Sequence, residues 1–182
     1  MNGPFVLRHA LDGAVSANPA RGPNHVEILP DPLAVSVSAR PGWRQAAADA
    51  LSAIGDAHAR FTGPGEWLVV GERHDGAQVK AMAEALGADA LVTDQSAARV
   101  VLRLSGPAAR AILAKLTPLD LHADVFAEGQ SGNALFAHVG ANIARLDGDR
   151  FEIVLMRSFA VFAFQELMEM GLEFGLTAGF AT

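Results

Sequence analysis

An α+β protein of two interlocked halves is what three features of the chain predict. Short strand-like segments, several with apolar residues at every second position, recur along it. Between them lie segments whose apolar residues fall three and four apart, the spacing of a helix with one buried stripe. Hydrophobic residues make up 51% and charged residues 19% of the 182 positions, which is enough apolar matter for one sizeable core or two small lobes packed together.

Residues 1–32 carry Gly3, Pro4, Gly13, Pro19, Gly22, Pro23, Pro30 and Pro32. That spacing leaves no room for helical or strand hydrogen bonding to run far, so an extended N-terminal arm is expected over 1–32. Its Phe5, Val6, Leu7, Ile28 and Leu29 either lie on their own domain or reach across to another subunit.

A first α+β subdomain is expected over 33–93. Leu33–Ser38 alternates as a strand, and Pro41-Gly42 ends it. Trp43, Ala46, Ala47, Ala50, Leu51 and Ile54 form the stripe of a helix that Gly55 stops. Gly63-Pro64-Gly65-Glu66 is a turn, Trp67–Val70 a short strand, Gln78–Leu86 a second helix ended by Gly87, and Ala90–Thr93 another strand.

A second subdomain is expected over 94–182. The polar bridge Asp94–Ala98 leads into a strand, Arg99–Leu104, with Val100, Leu102 and Leu104 on one face. Ser105-Gly106-Pro107 reads as a helix entry, Ser105 capping open N–H groups and Pro107 standing where its missing N–H costs nothing. Thr117-Pro118-Leu119-Asp120 repeats the logic in miniature, with Asp120 returning a bond to the cap. Ala134–Val139 and Ala141–Leu146 read as paired strands, and the Asp147-Gly148-Asp149 turn leads to a third, Phe151–Met156. Ser158–Met170 closes the pattern as a helix striped by Phe159, Phe162, Ala163, Leu167 and Met170.

Charge and composition exclude several functions. Fourteen Lys and Arg against twenty Asp and Glu give a net charge of -6, so no basic face for nucleic acid is expected. With no cysteine, disulfides, thiolate metal sites and cysteine nucleophiles are out of reach. No run of about 18 apolar residues suggests a membrane span, and Met1-Asn2-Gly3-Pro4 does not open like a secretory signal, so the cytoplasm is the expected compartment. The low charge fraction implies either an apolar contact surface or simply much alanine.

Catalytic motifs are sparse. There is no phosphate loop, and Gly63-Pro64-Gly65 leads into a strand, the wrong context for a dinucleotide fingerprint. His9, His25, His58, His74, His122 and His138 show no compact metal-ligand spacing. Ser96, Ser105 and Ser158 lack a nucleophile-elbow setting. Three polar spots remain: Asp94 with Ser96 and Arg99; Asp120 with His122; and Arg157 with Ser158 and Phe159. Asp120 and His122 could make an acid–base pair or a helix cap beside an exposed ring. Arg157 reaches solvent, a carboxylate or a partner surface. Trp43 and Trp67 read as core or subunit-contact residues.

One ordered combination is more specific. Asp94-x-Ser96-x-x-Arg99 is followed by Leu102-Arg103-Leu104-Ser105-Gly106-Pro107-Ala108-Ala109-Arg110. Then come Leu113-Ala114-Lys115-x-x-Pro118-Leu119-Asp120-Leu121-His122 and Arg157-Ser158-Phe159-Ala160. Together with Gly63-Pro64-x-Glu66-Trp67-Leu68, this series resembles the gamma subunits of heterotetrameric sarcosine oxidases, from about residue 60 to 175. Thr117 stands where that family commonly has Cys, and Phe164 where it commonly has Trp.

The resemblance implies two interlocked ferredoxin-like subdomains in the folate-binding aminomethyltransferase-like fold. It implies no catalytic, cofactor or metal residues in this chain, with FAD, FMN, NAD and tetrahydrofolate held by partner subunits. Those partners are alpha, beta and a zinc-protein-like delta, alpha being the chief contact. The complex would oxidise sarcosine to glycine, form hydrogen peroxide and pass a one-carbon unit to tetrahydrofolate, with gamma as scaffold. Asp94, Ser96, Arg99, Ser105, Gly106, Pro107, Asp120, His122, Arg157, Ser158 and Phe159 become interface or structural candidates. The alternatives are a stand-alone folate-binding or one-carbon-transfer protein, and a gamma-like subunit of a related N-methyl amino acid dehydrogenase.

Overall fold

The alternation at 33–38 becomes strand β2 in the computed structural model, which describes residues 8–15, 21–53 and 57–182. The chain runs β1 (His25–Ile28), β2 (Leu33–Ala39), α1 (Arg44–Ser52), β3 (Ala57–Gly63), β4 (Glu66–Gly71), α2 (Gly76–Leu86) and β5 (Ala90–Asp94). It continues through β6 (Arg99–Ser105), α3 (Ala109–Ala114), β7 (Ser131–Phe136), β8 (Val139–Asp147), β9 (Arg150–Met156), α4 (Ala160–Gly171) and β10 (Thr177–Phe180). One sheet has the order β3-β4-β2-β5 and the other β10-β1-β6-β9-β8-β7. Every pairing is antiparallel except β1 with β10.

Two sheets face each other, with helices on their outer sides. Leu33, Val35 and Val37 of β2 with Trp67 and Val69 of β4 pack against Ala47 and Leu51 of α1 and Met82 and Leu86 of α2. Val100, Leu102 and Leu104 of β6 share the larger core with Phe151, Ile153, Ile112 and Leu113 and with Ala163, Phe164 and Leu167 of α4. The period-two pattern then sends Val101 and Val154 to the other face, where they meet Leu29, Leu68 and Val70 in a small apolar contact between the sheets.

Several expectations change. Residues 25–28 of the expected arm lie on the chain's own larger sheet: β1 stands between β6 and β10, its Val26 and Ile28 fully buried. The prolines that bound it limit its length rather than prevent pairing. Residues 1–7 and 16–20, with Phe5, Val6 and Leu7, lie outside the described residues, as do Ile54 and Gly55. Strand β3 has no counterpart among the expected elements. Trp43 precedes α1 and is half exposed. In α4 the buried stripe is Ala160, Ala163, Phe164, Leu167 and Gly171, so Phe159 and Phe162 face outward. Ala163 and Leu167 are buried as expected, while Ala160, Phe164 and Gly171 take the places expected for Phe159, Phe162 and Met170; Phe159 itself lies in the 3-10 turn Arg157–Phe159 that precedes the helix.

Ala137-His138, read from sequence as part of a strand, form the two-residue turn between β7 and β8, with φ of 47° and 69°. Residues 117–123 include no helix; Asp120 Oδ1 accepts from the N–H of His122 at 2.9 Å, a local Asx turn in place of the expected capping pair.

Candidate functional site

Asp94, Ser96 and Arg99 occupy the crossing from one sheet to the other. Asp94 ends β5, and a 3-10 turn over Ser96–Ala98 leads straight into β6. Asp94 Oδ1 accepts from the N–H of Ser96 at 2.9 Å and from its hydroxyl at 2.7 Å, while Oδ2 faces His74 Nε2 at 2.8 Å. Ser96 Oγ in turn accepts from the N–H of Ala34 in β2 at 3.0 Å. Desolvation pushes the Asp94 carboxyl up, but the bonds from Ser96 and His74 outweigh it and hold the group below the usual carboxylate value.

Arg99 donates twice to Gln95 Oε1, at 3.0 and 2.7 Å, and desolvation lowers its pKa. It also lines a cleft of about 670 Å³ at one end of the space between the sheets, with Thr62, Asn133, Leu135 and Asn142.

Ser105-Gly106-Pro107 is a crossing point rather than a cap. Strand β6 runs through Ser105, whose hydroxyl donates to the carbonyl of His25 at 3.4 Å. The cap comes from elsewhere: Asn24 Oδ1 accepts from the N–H of Ala108 at 2.9 Å. Pro107 stands in the turn before α3, two positions ahead of the first helical residue. Gly106 has φ of +124°, and a Cβ there would lie 2.3 Å from the carbonyl oxygen of Pro23. Only glycine lets the two backbones approach that closely.

Asp120 and His122 do not form an acid–base pair. The Asp120 carboxylate is spent on the backbone of His122, and the His122 ring faces Asp124 at 3.6 Å in the open. Arg157, Ser158 and Phe159 share an exposed 3-10 turn. Arg157 donates to the carbonyl of Arg8, so its partner is backbone and not a carboxylate. Close to it in sequence, four large apolar residues that form an apolar ridge along the chain are exposed: Phe159 is 48% exposed and Phe162 44%, and Met156 and Val161 are exposed as well.

Sequence reasoning missed the polar seam between the sheets. Arg60 of β3, only 4% exposed, donates to Glu152 Oε1 and, at 3.1 Å, to Asn142 Oδ1. Arg103 Nε meets the other oxygen of Glu152 at 2.5 Å. Asn142 continues to Asn133 at 2.9 Å, and Asn133 to the carbonyl of Thr62 at 2.9 Å. Desolvation pulls Arg60 below its ordinary value against the attraction of Glu152. Desolvation also opposes the charge of Arg103, yet Glu152 and Glu72 together raise it. A lone Glu inside the apolar strand Phe151–Met156 was the available signal, since a buried carboxylate needs a buried cation. Such a seam sets the register of two sheets; it holds neither a nucleophile nor a group poised for proton transfer.

Among the described residues no three His, Asp or Glu side chains gather as a metal site, and no helix is long and apolar enough to cross a membrane.

Comparison with known proteins adds to this geometry. A family described as "Sarcosine oxidase, gamma subunit family" matches residues 29–173. The "Sarcosine oxidase subunit gamma" of Arthrobacter sp is 34% identical over 99 residues, covering 54% of this chain and 48% of that one. The match thus spans about half the length of that curated relative. A chain of the heterotetrameric sarcosine oxidase from Corynebacterium sp. U-96, in complex with pyrrole 2-carboxylate, superposes with a TM-score of 0.78 at 26% identity, over 92% of this chain and 96% of its own. Glycine cleavage system aminomethyltransferase T from Bartonella henselae superposes at 0.60 and 17% identity, over 88% of this chain and 48% of its own. That likeness is one of fold, and it is the aminomethyltransferase-like fold expected from the sequence.

Proposed function

The chain belongs to the sarcosine oxidase gamma subunit family, and from that premise we propose that it is a non-catalytic gamma subunit of a heterotetrameric sarcosine oxidase. The complex oxidatively demethylates sarcosine to glycine with hydrogen peroxide formation and passes the one-carbon unit to tetrahydrofolate. FAD, FMN, NAD and tetrahydrofolate are bound by the partner subunits, and the assembly works in the cytoplasm. Gamma contributes scaffold and contact surface alongside alpha, beta and delta, chiefly against alpha.

The observation that carries this reading is the ridge of Met156, Phe159, Val161 and Phe162, large apolar side chains left half exposed at the start of α4. Contiguous exposed apolar residues of this size mark contact surfaces, and aromatic side chains are enriched at the centres of such contacts. Burial against a neighbouring subunit stabilises the assembled form by mass action, while the arginine at its edge fixes orientation.

Coexpression with candidate alpha, beta and delta chains, followed by size and flavin analysis and a panel of N-methylated amines, tests the reading. Peroxide release from the assembly and not from the isolated chain is the expected result. Tetrahydrofolate binding by the isolated chain, with no entry into a complex, would overturn it in favour of a stand-alone folate protein.

A further inference from the structure

Arg103 holds two carboxylates of very different standing. Its Nε is fixed at 2.5 Å by Glu152, whose side chain is 2% exposed; its Nη1 meets Glu72 at 2.5 Å, whose side chain is 71% exposed. The first contact belongs to the seam between the sheets. The second is made by the residue that follows β4, at a cleft of about 530 Å³. Among the described residues lining that cleft, the guanidiniums of Arg60, Arg103, Arg145 and Arg150 outnumber the carboxylates of Glu72 and Asp147. Glu152 already pairs Arg60 and Arg103, and Glu128 faces Arg145 at 3.5 Å, so the exchangeable position is the edge of the Arg103 guanidinium that Glu72 covers, at a cleft whose size encloses a small organic molecule.

We propose that this cleft binds a small organic carboxylate, which takes the place of the Glu72 carboxylate on Arg103. The guanidinium is planar, always charged and shaped for carboxylates. Glu152 and Arg60 hold it in position before any ligand arrives, so little side-chain ordering remains to oppose binding. Glu72 acts as a tethered stand-in, and because its side chain is exposed it leaves at small cost. At the rim Arg150 pairs with Asp147 at 2.6 Å, both largely exposed, and offers a second cation to a dicarboxylate.

The test uses the full chain alone, so its outcome is independent of the subunit reading. Glutarate is titrated in, with sodium chloride and inorganic phosphate at equal ionic strength as separate arms, while arginine Nε–H resonances are followed by NMR. A saturable millimolar shift with glutarate is expected, with Glu72→Gln binding roughly two- to fivefold tighter, as removal of an exposed ion-pair competitor implies. Arg150→Gln, at an exposed position, is expected to weaken glutarate by a similar factor. A shift that chloride reproduces, saturation by phosphate alone, or an affinity unchanged in Glu72→Gln overturns the proposal.

Discussion

Asn24 Oδ1 accepts the N–H of Ala108 at 2.9 Å across 84 positions of sequence, and beside that contact Gly106 leaves room for the carbonyl of Pro23. The entry to β1 and the start of α3 are thereby joined at one point. Gly106→Ala places a Cβ against backbone at a φ of +124°, and strain with displacement is expected to cost about 2–4 kcal/mol. Asn24→Ala, which removes only the cap, is expected to cost about 1 kcal/mol. Urea unfolding reads both; a Gly106→Ala protein as stable as the parent would refute the close-approach argument.

The seam between the sheets gives a second expectation. Glu152→Gln leaves the Arg60 and Arg103 guanidiniums converging without their anion, and breaking a buried pair in this way costs about 3–5 kcal/mol. Replacing Arg60 and Glu152 together by Met removes both desolvation costs, so the double variant should be more stable than Glu152→Gln. A double-mutant cycle showing simple additivity would contradict direct coupling.

Asp94 makes stability depend on pH. Its folded-state value lies below the ordinary 3.8, so the ionised form favours folding. That contribution is present above the unfolded value and is lost as pH falls through the lower, folded one. Asp94→Asn should therefore melt below the parent at neutral pH, with the gap closing as pH falls below 3.8. Thermal melts across that range check it, and a gap independent of pH would assign the effect to geometry instead.

His9 shifts in the same direction from another cause. Burial first, then the nearby charge of Arg157, lower its pKa from 6.5 against the opposing pull of Asp12. Its ring stands edge-on to Phe180 at 5.0 Å, and its Nε2 is buried without a hydrogen-bond partner among the described residues. A His with a lowered folded value supports the fold fully above 6.5 and ceases to do so as pH falls through the folded value. Amide exchange at Ala14, whose N–H donates to the carbonyl of Leu11 at 2.9 Å, should accelerate there beyond the intrinsic rate. Exchange that follows the intrinsic rate throughout would count against it.

At the apolar ridge, stability and assembly should separate. Phe162→Asp alters a side chain that is 44% exposed, so the melting of the isolated chain should stay within about 0.5 kcal/mol of the parent. Recovery with the partner subunits should fall sharply. Arg157→Glu should also weaken assembly, and because the contact of Arg157 is the Arg8 carbonyl, it should loosen residues 8–15 as well. Unchanged copurification of Phe162→Asp would place the contact surface elsewhere.

How legible the molecule was depends on what each residue answers to. Val100, Leu102 and Leu104 alternate with Val101 because β6 has cores on both sides, and period two reports that directly. Strand β3 was hidden because burial does not follow hydrophobicity along it: Arg60 is buried while Phe61 is exposed. The Pro64-Gly65 turn before β4 was the clue that a strand had to precede it. Ser105 was read as a cap because capping is local in sequence, whereas the cap in use arrives from Asn24. In α4 the centre of the stripe, Ala163 and Leu167, was legible, and its edges were not, because large Phe159 and Phe162 face outward while small Ala160 is buried. Asp94, Ser96 and Arg99 were legible as a motif, but their bonds to His74, Ala34 and Gln95 are set by topology.

The parallel pairing of β1 with β10 makes the time order of synthesis matter. The strands of the four-stranded sheet lie between Leu33 and Asp94 and can associate while translation continues. His25 must wait for Thr177, 152 positions later, which at 5–20 residues per second is roughly 8–30 s on the ribosome. Over that interval the flank of Val26 and Ile28 that β10 later covers is open to any passing strand, so a chaperone holding the nascent chain would act on this edge.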